Sequence, residues 1–406
     1  MSKRMKIRLL RFEEEQDFLS RMHSLGVDKT GQKIMSGKGI FYTLEIKQLD
    51  SILCNVLKQE MLSLGGEVAL PRNVITGKLR RSDCIVSGTL LQYRKLINKL
   101  KIQPWGLQNL GERIEEILNN IQRKNWHIKA GRFSLNIGKR TLLMGILNIT
   151  PDSFSDGGMF YKKPQQVIEF ALKMEENGAD IIDIGGESTR PSAKVIPLEE
   201  ELRRVIPVIK ILNRRLKIPI SIDTRKAKVA KEAIEAGASI VNDVSGLRGD
   251  VGMKKVIARY GVPVIIMHMK GTPRTMQKRP VYKDLISEII DYLEESIRLA
   301  QKSGVSLENI IIDPGIGFGK TVEHNLIILK NLYQFKILGR PIMVGTSRKS
   351  FIGKILNLEV GERIFGTIAS CVLAVINGAN ILRVHDVKEV KQAIKLIDAI
   401  REAKDG

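Results

Sequence analysis

From about residue 140 onward the chain repeats one pattern: a short apolar run, a polar turn, an amphipathic stretch, then the next run. The runs are Leu142–Leu147, Ile181–Ile184, Ile218–Ile222, Ser239–Asn242, Val262–Met267, Ile310–Ile312, Pro341–Gly345 and Ala379–Val384. Most are apolar throughout rather than alternating, the mark of strands buried on both faces. The stretches between them carry helical spacing. Val167, Phe170, Ala171 and Met174 fall at i, i+3, i+4 and i+7, with Pro164 at the start and Gly178 at the stop. Leu202, Val205, Ile206 and Ile209 repeat the pattern, as do Ile286, Ile289, Ile290 and Leu293, and finally Val390, Ile394 and Ile397. This strict alternation predicts an α/β fold, a (β/α)8 TIM barrel, over residues 125–406. A doubly wound open sheet is the competing architecture.

The barrel expectation has a sharp consequence, because residues just past each strand then share one mouth. Those residues are Asn148, Asp183, Asp223, Asn242, His268, Asp313, Lys349, and Arg383 with His385. Every strand ends in a polar or ionisable side chain, which a structural scaffold alone does not require. Helix capping is the plain alternative for the Asp and Asn positions. Asp223, Asn242 and Asp313 place hydrogen-bonding groups at three strand ends, where a polar ligand could meet them. Arg383 and His385 lie two apart after the last strand, where barrels often hold phosphate, and Arg offers fork-like donors to its oxygens. A structural ion pair of Arg383 with Asp386 is the simpler reading.

Residues 1–124 follow another plan. Strand-like Met5–Phe12, a second strand at Phe41–Ile46, a helix with Leu49, Ile52, Leu53, Val56 and Leu57 on one face, and a strand at Cys84–Thr89 predict a small α+β N-terminal domain. Glu112–Arg123 reads as a closing helix, and Trp126–Arg140, punctuated by Gly131 and Gly138, as a hairpin at the barrel floor. No chemical motif falls in this domain, and its role stays open.

At 406 residues there is ample chain for one large and one small domain. No apolar stretch approaches the roughly 20 residues of a membrane span, so no membrane partner is expected. The start shows no secretory pattern. Cys54, Cys84 and Cys371 are scattered without a CxxC pair, which points to a reducing cytoplasm. The net charge of +22 is spread over both parts without a long basic run. A polyanionic small molecule accounts for part of it, and a nucleic-acid partner is not the expectation.

Four stretches carry the densest chemistry: Leu147-Asn148-Ile149-Thr150-Pro151-Asp152-Ser153-Phe154-Ser155-Asp156-Gly157-Gly158, Asp183-Ile184-Gly185-Gly186-Glu187-Ser188-Thr189-Arg190-Pro191, Asp313-Pro314-Gly315-Ile316-Gly317-Phe318-Gly319-Lys320, and Ser347-Arg348-Lys349-Ser350. With them the barrel part, from about Trp126 onward, resembles the dihydropteroate synthases of the pterin-binding barrel family. Leu143–Gly158 carries the first signature of that family and Gly178–Pro191 the second; Ser192 departs from the glycine usual there.

The resemblance implies condensation of 6-hydroxymethyl-7,8-dihydropterin pyrophosphate with p-aminobenzoate, giving 7,8-dihydropteroate and pyrophosphate. It implies pterin contacts from Asp223, Asn242, Asp313, Lys349 and Met267, and pyrophosphate contacts from Asn148, Arg383 and His385. It further implies Mg2+ at Asn148 and a p-aminobenzoate pocket of Thr189, Arg190, Pro191, Phe318 and Ser350. Asp223, Asn148, Arg383 and His385 are the expected catalytic set, with Asp152 and Asp156 assisting the loop or the pyrophosphate. A homodimer through barrel helices is implied as well. A methyltetrahydrofolate-dependent corrinoid methyltransferase, which shares the barrel, and a non-catalytic pterin-binding paralogue are the other readings.

Overall fold

The computed structural model describes residues 5–150, 164–188, 195–272, 275–276 and 280–403, and the chain divides into two compact units, Met1–Gln122 and Arg123–Gly406.

The first unit is built on a three-stranded antiparallel sheet of β1 (Phe41–Asp50), β2 (Glu67–Ala69) and β3 (Arg81–Thr89), in the order β1-β3-β2. Alternation along β3 sends Cys84 and Val86 inward to Leu57, Met61, Tyr93 and Leu96 of the helices Ser51–Ser63 and Leu90–Lys101. Thr89 ends β3 and opens the next helix through a reciprocal capping box with Gln92. The strand expected at Met5–Phe12 does not form. Residues 5–11 are exposed and unassigned, because period-2 apolarity makes a strand only where a neighbouring edge takes up its hydrogen bonds. The helix expected from Leu49 starts at Ser51, capped by Asp50, and Leu49 belongs to β1.

The second unit opens with a hairpin, β4 (Trp126–Ala130) and β5 (Phe133–Ile137). Eight strands follow: β6 (Leu142–Asn148), β7 (Ile181–Gly185), β8 (Ile220–Asp223), β9 (Ile240–Asp243), β10 (Val264–Met267), β11 (Ile310–Asp313), β12 (Met343–Val344) and β13 (Ile381–Val384). All their pairings are parallel, in the order β11-β10-β9-β8-β7-β6-β13-β12. The Ile312–Ile342 bridge links β11 to the segment entering β12, so the sheet closes on itself. This is the (β/α)8 barrel, not the open sheet.

The closed floor explains the hairpin. Its apolar face, Trp126, Ile128, Ala130, Leu135 and Ile137, packs on Met144, Ile181, Ile240, Ile265, Ile311, Met343 and Ile381, the inward residues at the strand bases. Trp126 fixes it by donating its indole N–H to the Gly339 carbonyl at 3.0 Å. With the bottom plugged, the upper strand ends are left to carry the site. Among the described residues no helix is long and apolar enough to cross a membrane.

Candidate active site

Register places one row of residues around the mouth. Asn148 pairs with Gly185, Gly185 with Asp223, and Asp223 with Asn242, so these four positions run side by side along β6 to β9. A Cβ at Gly185 would lie 3.2 Å from Asn148 Oδ1 and 3.7 Å from Asp223 Cβ. The missing side chain there leaves room for what rises from below.

What rises is Asp183, fully buried two residues earlier on β7. Its Oδ2 accepts from Arg383 Nε at 2.6 Å and from Asn242 Nδ2 at 3.0 Å. Arg383 also donates through NH2 to Asp223 Oδ2 at 2.8 Å. One guanidinium on β13 therefore ties together carboxylates from β7 and β8, while Asp183 ties Arg383 to Asn242 on β9. Burial works against the Arg383 charge, but Asp183 and Asp223 outweigh it and hold the guanidinium above its ordinary value. Burial pushes Asp223 up to about 7, with Arg383 opposing and Asp183 adding to the rise.

Three buried acceptor atoms here, Asp183 Oδ1, Asp223 Oδ1 and Asn242 Oδ1, have no hydrogen-bond donor among the described residues. Leaving such atoms dry costs about 1–3 kcal/mol each. Three together form a surface that calls for a donor-rich ligand edge.

The opposite wall comes from β11 and β12. Asp313 accepts from the Gly315 N–H at 2.7 Å. Burial raises its pKa, and Lys349 opposes that rise. Lys349 donates to the Ile316 carbonyl, and its Nζ lies 5.0 Å over the Phe318 ring. Burial lowers the Lys349 ammonium to about 8, with Asp313 holding it up. A Cβ at Gly345, on the way from β12 to Lys349, would be 3.6 Å from Arg383 Cβ and 3.9 Å from Lys349 Nζ. Gly345 thus lets the two cations border one space. Met267, buried at the end of β10, packs with Val244, Met269, Met276 and the half-buried Phe318 as an apolar patch.

The Ser347–Ser350 turn is pinned from several sides. Arg348 adopts φ 57°, unusual for a side-chain-bearing residue. Its guanidinium pairs with Asp386, at 3.0 Å through Nε, and its N–H donates to Thr367 Oγ1 at 3.0 Å. The alternative of an Arg383–Asp386 ion pair is not what forms: Asp386 serves Arg348, while Arg383 points inward to Asp183 and Asp223. Ser347 Oγ lies 3.0 Å from His385 Nδ1 and accepts the His385 N–H at 3.2 Å, which fixes the ring just past β13. Ser350 starts the helix Ser350–Leu356 directly after Lys349.

Asp223, Asn242, Arg383 and Asn148 are thus brought together on one side of the mouth, and Asp313, Lys349, Met267 and Phe318 on the other. Thr189, Arg190, Pro191, Ser192, Asp152 and Asp156 lie outside the described residues. Two residues gain a role that sequence reasoning did not give them. Asp183 stood among the strand-end residues without a function, and only its lateral contacts single it out. Lys226 grips both stems of the segment containing Thr189–Pro191: Nζ reaches Glu187 Oε2 at 2.6 Å, the Ile196 carbonyl at 2.8 Å and Glu201 Oε2 at 2.6 Å. No spacing in the sequence signals this.

Comparisons with known proteins show what the chain is similar to. Residues 144–385 match the family described as pterin binding enzyme. The chain is 50% identical over 274 residues to dihydropteroate synthase of Clostridium beijerinckii, covering 67% of this chain and 99% of that protein. The structure resembles that of Yersinia pestis dihydropteroate synthase with a sulfonamide drug, at TM-score 0.66 and 42% identity, over 68% of this chain and 100% of that one. A probable bifunctional folylpolyglutamate synthase/dihydropteroate synthase of Halobacterium salinarum is 39% identical over 395 residues, 97% of this chain and 47% of that protein. That match extends through the N-terminal unit.

Proposed function

The chain belongs to the dihydropteroate synthases, and from that membership we propose how its residues divide the condensation of 6-hydroxymethyl-7,8-dihydropterin pyrophosphate with p-aminobenzoate. The carrying observation is the trio of donorless acceptors, Asp183 Oδ1, Asp223 Oδ1 and Asn242 Oδ1. A pterin presents amine and ring N–H donors along its guanidine-like edge and a carbonyl on its lactam side. Asp223 and Asn242 receive the donor edge, Asp313 and Lys349 flank the heterocycle from the other wall, and Met267 supplies apolar contact.

Asn148, Arg383 and His385 hold the pyrophosphate. Asn148 fits Mg2+ as a neutral oxygen ligand, since this ion keeps most of its shell as water and substrate oxygen and needs no carboxylate cage. Bound there with the substrate, it supplies charge neutralisation for the departing pyrophosphate. Arg383 and His385 add donors to the same oxygens. As pyrophosphate leaves, the electron-rich dihydropterin spreads positive charge from the methylene, and Asp223, buried beside Arg383, stabilises it. The arylamine of p-aminobenzoate attacks as the neutral nucleophile, positioned by Thr189, Arg190, Pro191, Phe318 and Ser350. No strong general base is required.

The test is product identification: both substrates with magnesium should yield 7,8-dihydropteroate and one pyrophosphate per turnover. Methyl transfer from methyltetrahydrofolate to a corrinoid, with no pyrophosphate release, would reverse the assignment. The 50% identity to a dihydropteroate synthase over 67% of the chain favours the condensation over methyl transfer.

A homodimer is part of the proposal. The helix Ile364–Ile376 is apolar nearly throughout yet exposes Phe365 (81%), Leu373 (43%) and Ile376 (60%), beside exposed Ile355 and Leu356. Apolar groups gathered this way mark a contact face. Phe365→Glu with Ile376→Glu should give a monomer by sedimentation, whereas an unchanged mass would remove this face from consideration. We place the enzyme in the cytoplasm, where its buried cysteines stay as free thiols.

A further inference from the structure

Two buried ionisable side chains at the barrel mouth take no part in the mechanism above: Lys320, 3% exposed, and His268, 4% exposed. Lys320 Nζ lies 2.9 Å from His268 Nδ1 and donates to the Phe318 carbonyl at 3.0 Å. Burial lowers the Lys320 ammonium well below its ordinary range, with Asp313 opposing. Burial, reinforced by Lys320, holds His268 down to about 2, so its ring is neutral. With Lys320 as the donor, Nδ1 accepts and Nε2 carries the proton. The His268 ring meets Tyr292 edge-on at 4.7 Å, and the Tyr292 hydroxyl donates to the Ser245 carbonyl at 2.9 Å. Lys320 thus rests on a braced platform.

The loop it reaches has little stiffness of its own. Gly315, Gly317 and Gly319 take φ of 72°, 82° and 65°, so alternate residues sit where glycine is favoured. Its shape comes from what grips it. Asp313 holds the Gly315 N–H, and Asn325 Oδ1 holds the Gly317 N–H at 2.7 Å. The second half is held from the other side, by Lys320 on the Phe318 carbonyl and by the Tyr282 hydroxyl on the Gly319 carbonyl at 2.8 Å. Between the grips the Phe318 ring projects onto the methionine patch and beneath Lys349.

We propose that Lys320, braced by His268, is a positioning residue that sets the placement of Phe318 and through it the enzyme's affinity for p-aminobenzoate. The inference rests on Phe318 forming a wall of the arylamine pocket. Lys320 acts through the peptide of Phe318 and contacts neither substrate.

Steady-state kinetics of the full-length enzyme with magnesium and both substrates, on Phe318→Ala, Lys320→Met and the double variant, separate the two layers. Phe318→Ala should raise KM for p-aminobenzoate by about tenfold or more; no rise would remove Phe318 from the pocket. Lys320→Met should raise the same KM several-fold, about the worth of one lost buried hydrogen bond. KM for the pterin pyrophosphate should move less than about twofold, because Asp313 and Asn325 still hold the first half of the loop. The double variant should be no worse than Phe318→Ala alone, since nothing remains to be positioned. A rise after Phe318→Ala with none after Lys320→Met overturns the inference and leaves the pocket assignment standing. Equal losses for both substrates after Lys320→Met, or additive losses in the double variant, also overturn it. Should Lys320→Met not fold, His268→Phe, which removes the acceptor and keeps the ring against Tyr292, is read by the same split, with an expected rise of about threefold.

Discussion

Asp183 is the residue whose removal should cost the site most for the least change in bulk. Its Oδ2 takes hydrogen bonds from Arg383 and Asn242, at 2.6 and 3.0 Å, in full burial. Each such bond to a charged acceptor contributes roughly 1.5 kcal/mol net, so losing both removes about 3 kcal/mol. Asp183→Ala should therefore lower kcat/KM for the pterin pyrophosphate about a hundredfold, at about 1.4 kcal/mol per decade. Asp183→Asn keeps one oxygen that can accept from Arg383 or Asn242 but not the charge, and should fall about tenfold. Arg383 would remain paired with Asp223 alone, which pulls that carboxylate toward the guanidinium and away from the pterin. Continuous detection of pyrophosphate, with the pterin substrate varied at saturating p-aminobenzoate, measures the effect. Calorimetric binding of the pterin substrate to the same variants separates affinity from turnover. A kcat/KM for Asp183→Ala within twofold of the unsubstituted enzyme would refute the claim that this carboxylate orients Arg383 and Asn242.

The pH profile carries a second expectation. Asp223 must be ionised to accept from the pterin, and burial pushes it up to about 7; Lys349 must be protonated, and burial lowers it to about 8. kcat/KM should thus rise through pH 7 and fall through pH 8, Asp223→Asn removing the rise and Lys349→Met the fall; a rise that survives Asp223→Asn assigns it elsewhere. Gly185→Ala places a methyl 3.2 Å from Asn148 Oδ1, which must shift by a few tenths of an ångström, so the magnesium concentration for half-maximal rate should increase several-fold. Trp126→Ala, which unseats the hairpin from the barrel floor, should cost about 3–5 kcal/mol in denaturant unfolding of the barrel, with the substrate KM values of the folded fraction unchanged. Lys226→Met should raise KM for p-aminobenzoate selectively, because Lys226 joins the two stems beside Thr189–Pro191.

Much of the barrel was legible because its strands obey a simple rule. Runs buried on both faces leave uninterrupted apolar stretches, and all eight found here are strands in the structure. The N-terminal unit was read less fully. Met5–Phe12 has the alternation of a strand yet pairs with nothing in its sheet, whereas β2, only Glu67–Ala69, is too short to show any period. The helix Leu90–Lys101 has no separate start signal, because Thr89 is both the last residue of β3 and the cap of the helix.

The site was legible as a set of strand-end residues but not as a circuit. Asp183 and Asp223 are both carboxylates of an apolar run, Asp183 inside Ile181–Ile184 and Asp223 just past Ile218–Ile222. The difference arises from register: Gly185, not Asp183, stands level with Asp223, so Asp183 lies one layer deeper. Depth makes it a holder of Arg383 and Asn242. The same logic separates Arg348 from Arg383. Arg348 follows β12 outside the sheet and pairs with Asp386, while Arg383 lies within β13 and reaches Asp183 and Asp223. Lateral neighbours across a parallel sheet are separated by a whole βα unit, and no local spacing encodes them. Residues that touch ligand can be inferred from type and position at a strand end; residues that hold those residues in place emerge only when the strands are laid side by side.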